Sequence, residues 1–234
     1  MIPLRDDQPC FSTPFINYFL IGLNVLVFLL ELSLGMQSPR ALNAFVAEFG
    51  VIPRYTIAVL SGHTYDSPAT AIVPLFTSMF LHGSWMHIIG NMLFLWIFGD
   101  NVEDYLGHFR YLVFYLLSGL LAAVTQILVN PTSSAPTIGA SGAIAGIMGG
   151  YFILYPRARV LVWFFPIFFF HVPAWLMLGY WFLYQFFSGT ATSIATSANS
   201  GGIAFWAHIG GFLVGVLMIK VFRERPQRYR YGTW

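Results

Sequence analysis

Charge is what this chain has least of. Asp, Glu, Lys and Arg together make up 9% of its 234 residues, where a soluble domain carries about 25%. Long stretches have none at all: Gln8 to Leu30, Ser67 to Gly99, Tyr111 to Pro156, and Val160 to Ile219. Each has room for at least one membrane span of about 20 apolar residues, which excludes an ordinary soluble domain. Cysteine is nearly absent, and the single Cys10 cannot close an internal disulfide. No His-Glu-x-x-His run occurs, so the helical zinc-protease pattern is missing and no metal or cofactor is expected. Asp6 and Asp7 precede the first apolar run and no small-residue cleavage site follows it, which speaks against a cleavable signal peptide. No tandem repeat of fixed period divides the chain, so residues 1–234 read as one membrane domain.

What is present is 57% hydrophobic. The first two charge-free stretches hold one span each. Asn130 to Thr137 splits the third into two, and the polar segment from Ser188 to Gly202 splits the fourth. The prediction is an all-α bundle of six transmembrane helices near 14–34, 74–98, 109–129, 140–155, 171–187 and 203–222. Val160 to Phe170, interrupted by Pro166, is expected to lie in the membrane interface, because a further span would break the charge pattern. With six spans the termini share a side, and every Lys and Arg except Arg40 and Arg54 falls on it. The positive-inside rule makes that side cytoplasmic. Met36 to about Ile72 then forms a long outer loop. The basic tail, residues 223–234, reads as a topology anchor at the bilayer and not as a nucleic-acid patch, since the net charge is only +2. The lack of an organelle-targeting segment points to a bacterial inner membrane.

Polar side chains at membrane depth are costly and therefore informative. Asn17 and Asn24 in the first span read as interhelical hydrogen bonds, and Glu31 near its outer end as reaching the interface. In the second span His87 and Asn91 are four apart and share a helical face, while Gly83-Ser84 suggests that the helix starts after His82. Asn is a poor zinc ligand, so the pair reads as two uncharged donors aimed into the bundle, or as polar glue between helices. Glu103, in the charged connection Gly99 to Arg110, is expected to satisfy backbone or basic groups where two helices meet.

The chain is organised around Pro136 to Gly150, PTIGASGAIAGIMGG. Ser141 stands where a polar loop meets a small-residue apolar helix, so its N–H joins the free donors of a first turn at the positive end of the helix dipole. A developing oxyanion would be stabilised there, which makes Ser141 a candidate nucleophile. Taken alone, the stretch better fits a serine packed among glycines so that two membrane helices can approach. Gly142, Ala145, Gly146 and Gly149 make one small face; Ala204, His208, Gly211 and Gly215 make another on the last span. If these faces pack at matching depth, the His208 imidazole reaches the Ser141 hydroxyl. None of the nine carboxylates lies in the last three spans, so a Ser-His dyad is expected in place of a triad.

His82, His87 and Asn91, then Gly139-Ala-Ser141-Gly142, then Ala207-His208-Ile-Gly-Gly211-xxx-Gly215, resemble the rhomboid intramembrane serine proteases in order, spacing and span. The Gly99, Glu103, Gly107 connection is similar to that family's as well. The resemblance implies that Ser141 is the nucleophile and His208 its general base. It implies an oxyanion hole of His87, Asn91 and the Ser141 N–H, with His82 in support. Substrates would be membrane proteins whose spans carry helix-destabilising small residues near the outer face. The fifth span and the loop after it would act as gate and cap. Two positions depart from the pattern. Many members have an aromatic four residues after the serine, stacked on the histidine, where this chain has Ala145, so another ring is expected to orient His208. The Trp-Arg pair some members carry in the first loop is also missing. Two further classes compete: a catalytically silent relative that binds or escorts membrane proteins, and a small transporter or channel. The silent relatives usually lack Ser or His, and both are here. A transporter would want ionisable groups on the bundle interior or symmetric broken helices.

Overall fold

The computed structural model describes residues 2–195 and 204–222. It is mostly helical. A short strand, β1 (Ile2–Asp6), is followed by α1 (Phe15–Gln37), α2 (Pro39–Phe49), α3 (Pro53–Leu60), and the short turns α4 (Ala69–Ile72) and α5 (Pro74–Thr77). Then come α6 (Trp85–Leu106), α7 (His108–Val129), α8 (Ser141–Leu154), a hairpin of β2 (Arg159–Phe164) and β3 (Phe168–Pro173), α9 (Ala174–Ala195) and α10 (Phe205–Val221). By length and composition α1 and α7 can cross a membrane, and the segment 69–80 with α6 adds a third span if the 79° bend between them is one broken span. The remaining expected spans are shorter or less apolar. α8 has 14 residues and α10 has 17, and α9 is diluted by Tyr180, Tyr184 and Gln185. The polar residues 196–203 and the basic tail 223–234 lie outside the described residues.

Helix ends follow local chemistry. Ser38 caps α2 by accepting the Ala41 N–H at 3.0 Å, with Pro39 in the first turn. Ser84 caps α6 by accepting the His87 N–H at 3.2 Å, so α6 begins at Trp85 and leaves His82 in the bend. α6 and α7 join through Gly107, whose φ of 75° lets the chain turn between two helices without a break. α1 has no side-chain cap of its own. Glu103, fully buried on α6, supplies one: it accepts the N–H groups of Ile16 at 3.0 Å and Asn17 at 2.7 Å, and the His108 Nδ1 at 2.5 Å. This is the joining role its place in the sequence suggests.

α8 is the central helix, buried from Gly142 to Tyr151. It packs against α10 backbone to backbone. A Cβ on Gly211 would run into the Gly142 carbonyl, one on Gly215 into the Gly146 carbonyl, and one on Gly149 into the Phe212 carbonyl. On its other side Gly146 meets the Ser118 side chain of α7. Close approach of small faces gains dispersion contact where lipid offers no hydrophobic driving force.

The all-α expectation is corrected at the N-terminus and after α8. β1, β2 and β3 form an antiparallel sheet in that order, with Asp6 opposite Val160 and Leu161 opposite His171. Val160 and Val162 are fully buried and point into the core, and the turn holds Pro166. The period-two burial of β-branched residues explains the strand. An apolar run without charge cannot show it, because both strand faces are apolar and the third strand lies far away in sequence. One polar assignment also changes. Glu31 is buried at 3% exposure and accepts the His82 N–H at 2.9 Å, so its carboxylate is taken up inside the protein. Asn24 donates to the Leu20 carbonyl of its own helix at 2.7 Å and also lies beside the Tyr115 hydroxyl of α7. Asn17 does bond between helices, donating to the Leu95 carbonyl and accepting from the Tyr111 hydroxyl.

Candidate active site

Ser141 is the first residue of α8. The loop before it is held on two sides: Val51 and Thr137 exchange backbone hydrogen bonds at 3.1 and 2.7 Å, and the Gly139 N–H donates to the Ser78 carbonyl at 2.8 Å. At Gly139 φ is 121°, and a Cβ there would sit 2.6 Å from His87 Nε2 and 3.6 Å from Asn91 Nδ2. The absence of a side chain therefore brings the loop backbone onto the α6 donors and turns the chain into the helix that begins with Ser141.

His208, on α10 and 8% exposed, meets Ser141 across the glycine contact: Nε2 lies 2.7 Å from the Ser141 Oγ. Its Nδ1 lies 2.9 Å from Oε1 of Gln185, a buried residue of α9. The Trp181 ring, one turn earlier on α9, lies 5.8 Å from the imidazole at 36°. Trp181 stands where another ring is expected beside His208, though no pattern in the sequence names it; Gln185 escapes a sequence reading that weighed carboxylates as the third group. A signal was there: Gln185 is the one amide in the charge-free run between Val160 and Ser188, four residues after a Trp.

On the other wall, Asn91 Nδ2 lies 2.8 Å from His82 Nε2, and His82 Nδ1 lies 3.3 Å from the Phe80 carbonyl. A carbonyl only accepts, so in the neutral ring Nδ1 carries the proton and Nε2 accepts from Asn91. One N–H of Asn91 is thereby held while the other stays free to donate. His82 and His87 rings meet edge to face at 5.0 Å. His82 sits behind Asn91. His87, Asn91, Ser141 and His208 line a cavity of about 1270 Å³, together with Gln126, Gln185 and Trp181.

Of the site residues expected from the sequence, Ser141, His208, His87 and Asn91 line one cavity; Gly139 and His82 lie behind His87 and Asn91, and Gly142, Gly211 and Gly215 form the α8–α10 contact. A family model described as Rhomboid domain matches residues 69–225. The chain is 28% identical over 228 residues to Rhomboid protein 1, mitochondrial, of Saccharomyces cerevisiae, covering 93% of this chain and 58% of that one. It is 25% identical over 195 residues to the bovine Presenilin-associated rhomboid-like protein, mitochondrial (79% and 47% covered). With Rhomboid-like protein 11, chloroplastic, of Arabidopsis thaliana it is 29% identical over 164 residues (64% and 52%). The chain spans about half the length of the curated relatives it matches. These relatives carry organelle names and lend no support to a bacterial inner membrane. The matched region contains every residue that lines the Ser141–His208 cavity, and by that match the chain belongs to the rhomboid family.

Proposed function

We propose that this chain is a multi-pass, six-span membrane protein with both termini cytoplasmic, and an intramembrane serine endopeptidase that cuts transmembrane segments. The observation that carries the reading is the 2.7 Å contact of His208 Nε2 with the Ser141 Oγ inside a roomy cavity that holds several polar side chains.

The chemistry follows from the atoms present. Ser141 Oγ attacks the scissile carbonyl carbon while His208 Nε2 takes its proton. The oxygen that becomes anionic lies at the start of α8, where the Ser141 N–H has no intrahelical acceptor. His87 and the free N–H of Asn91 supply two further donors on the facing wall. His82 acts behind them, by holding the Asn91 amide. As the tetrahedral intermediate collapses, the peptide C–N bond breaks and His208 gives its proton to the leaving amine. Water then adds to the acyl-enzyme, its proton passing to His208 and back to the Ser141 oxygen. An extended peptide must enter such a site, so spans with residues that unwind easily are the fitting substrates. Where the alternative, a silent binder of membrane proteins, would need no more than the cavity, an aligned hydroxyl and imidazole favour the enzyme.

The test is cleavage of a single-span substrate in liposomes by the full chain, beside Ser141→Ala and His208→Ala. Loss of cleavage in both variants with the fold kept is the expected result. Cleavage that survives Ser141→Ala overturns the reading.

A further inference from the structure

His208 shows its two ring nitrogens to two different helices. Nε2 faces Ser141 on α8, and Nδ1 faces Gln185 on α9 at 2.9 Å. With its amide oxygen toward the ring, Gln185 can only accept there. The neutral imidazole must then carry its proton on Nδ1 and turn the lone pair of Nε2 to the Ser141 hydroxyl. Gln185 is 6% exposed, and Trp181 on the same α9 face closes one side of the ring. Ala145 offers no ring from α8. A buried amide in an otherwise apolar helix stretch is costly unless bonded, and this bond goes to the one imidazole that touches Ser141.

We infer that Gln185 is the positioning residue of the dyad: its Oε1 fixes the tautomer and ring direction in which His208 can accept the Ser141 proton. The inference deepens the protease reading and rests on it. An acceptor on Nδ1 does for His208 what a carboxylate does in a triad, without placing a charge in the membrane.

The helix that supplies Gln185 adds a consequence. Ser141 and His208 are fixed to each other by the backbone contact of α8 with α10. α9 meets α10 through side chains instead: Trp181 and Phe182 lie against Phe212, and Gln185 against His208. The base is fully oriented only while α9 is seated against α10, so a span that displaces α9 on entry also loosens His208.

Q185M and Q185E, made in the full chain and reconstituted in liposomes, separate positioning from packing. Methionine keeps volume and removes the acceptor; glutamate keeps an acceptor oxygen at the same reach but is the worse guest in a buried apolar site. Positioning predicts that Q185M loses kcat by about 10- to 100-fold, the range that partners orienting metal-bound histidines are worth, with KM little changed. Q185E retains more activity than Q185M. Packing alone predicts the reverse order, and that order overturns the inference. Labelling of Ser141 by a fluorophosphonate follows kcat and needs no substrate. Nitrogen NMR of the histidines, with His208 assigned by difference from His208→Ala, reads the tautomer whatever the activity: Nδ1–H in wild type and Q185E, a mixture in Q185M. The same tautomer in all three overturns the inference. An active wild type with Q185M equally active refutes Gln185 alone, whereas a wild type that neither cleaves nor labels refutes the protease reading itself.

Discussion

Replacing Gly211 by alanine adds a single methyl at the point where α10 lies on α8. That methyl falls well inside contact distance of the Gly142 carbonyl oxygen and 3.3 Å from the Ala145 Cβ. Both neighbours belong to the buried face of α8, and one of them is backbone, so neither can turn aside. Relief requires α10 to retreat by about 1 Å to reach ordinary contact distance. His208 sits less than one turn before Gly211, and its 2.7 Å bond to Ser141 opens with the same movement, past useful hydrogen-bond length. Overpacking of this kind costs about 1–3 kcal/mol of stability, and a misplacement of that size at reacting groups costs about 100-fold in rate. The assay is cleavage of a fluorogenic single-span substrate in liposomes, normalised to folded protein, with a thermal melt in detergent. Gly22→Ala and Gly179→Ala are the controls, since nothing lies within 4 Å of a Cβ at either place. Both should melt and cleave like wild type. A Gly211→Ala protein with wild-type melting and wild-type cleavage would show that the helices do not touch here and would refute the reasoning. Lower melting with full activity would show that the dyad does not depend on this contact.

Other outcomes follow from the same structure. Gly139→Ala meets both a φ of 121° and the His87 ring 2.6 Å from the new Cβ; strain of about 1–3 kcal/mol should appear in the melt, with cleavage falling further than stability, and equal cleavage per folded molecule would contradict that. Glu103→Ala leaves the Ile16 and Asn17 N–H groups without acceptors, at about 1–3 kcal/mol each, so the melt should drop while cleavage per folded molecule stays. Asp6 accepts a hydrogen bond from the Tyr151 hydroxyl, and burial pushes its pKa up from 3.8 to about 6. Between those values the folded chain holds a proton that the unfolded chain has released, so stability falls as pH rises through that window and the loss is complete above it. Melting from pH 4 to 7 should show this fall in wild type and a smaller one in Asp6→Asn; parallel curves would refute the assignment.

Much of the fold can be read in the chain because the membrane imposes a simple rule. Long charge-free stretches become helices, since backbone polar groups in lipid must bond within their own segment; the hairpin at Arg159–Pro173 is the exception. The observed starts of α1, α7, α8 and α10 at Phe15, His108, Ser141 and Phe205 lie within a few residues of those expected. Ser141 stands out through the change from polar loop to small-residue helix, and the two glycine faces stand out through their helical spacing. Each of these signals is local, or repeats within one element.

Other features depend on pairs of distant segments, and no local pattern encodes those. The sheet needs Ile2–Asp6 beside Arg159–Phe164; each alone is a short run with no helical or alternating signature. Glu31 reads as interfacial until the bend before α6 brings the His82 N–H over it. Gln185 is one polar residue in an apolar helix until α9 comes to rest against α10 and its amide oxygen meets Nδ1 of His208. The sequence by itself determined the starts of α1, α7, α8 and α10, the place of Ser141 at a helix start, and the small faces that let α8 and α10 touch, because hydropathy, capping and residue size act over a few turns. Tertiary structure alone decided which ring and which amide stand beside His208. A hydrogen bond depends on distances of a few tenths of an ångström between groups brought together from helices far apart in the chain.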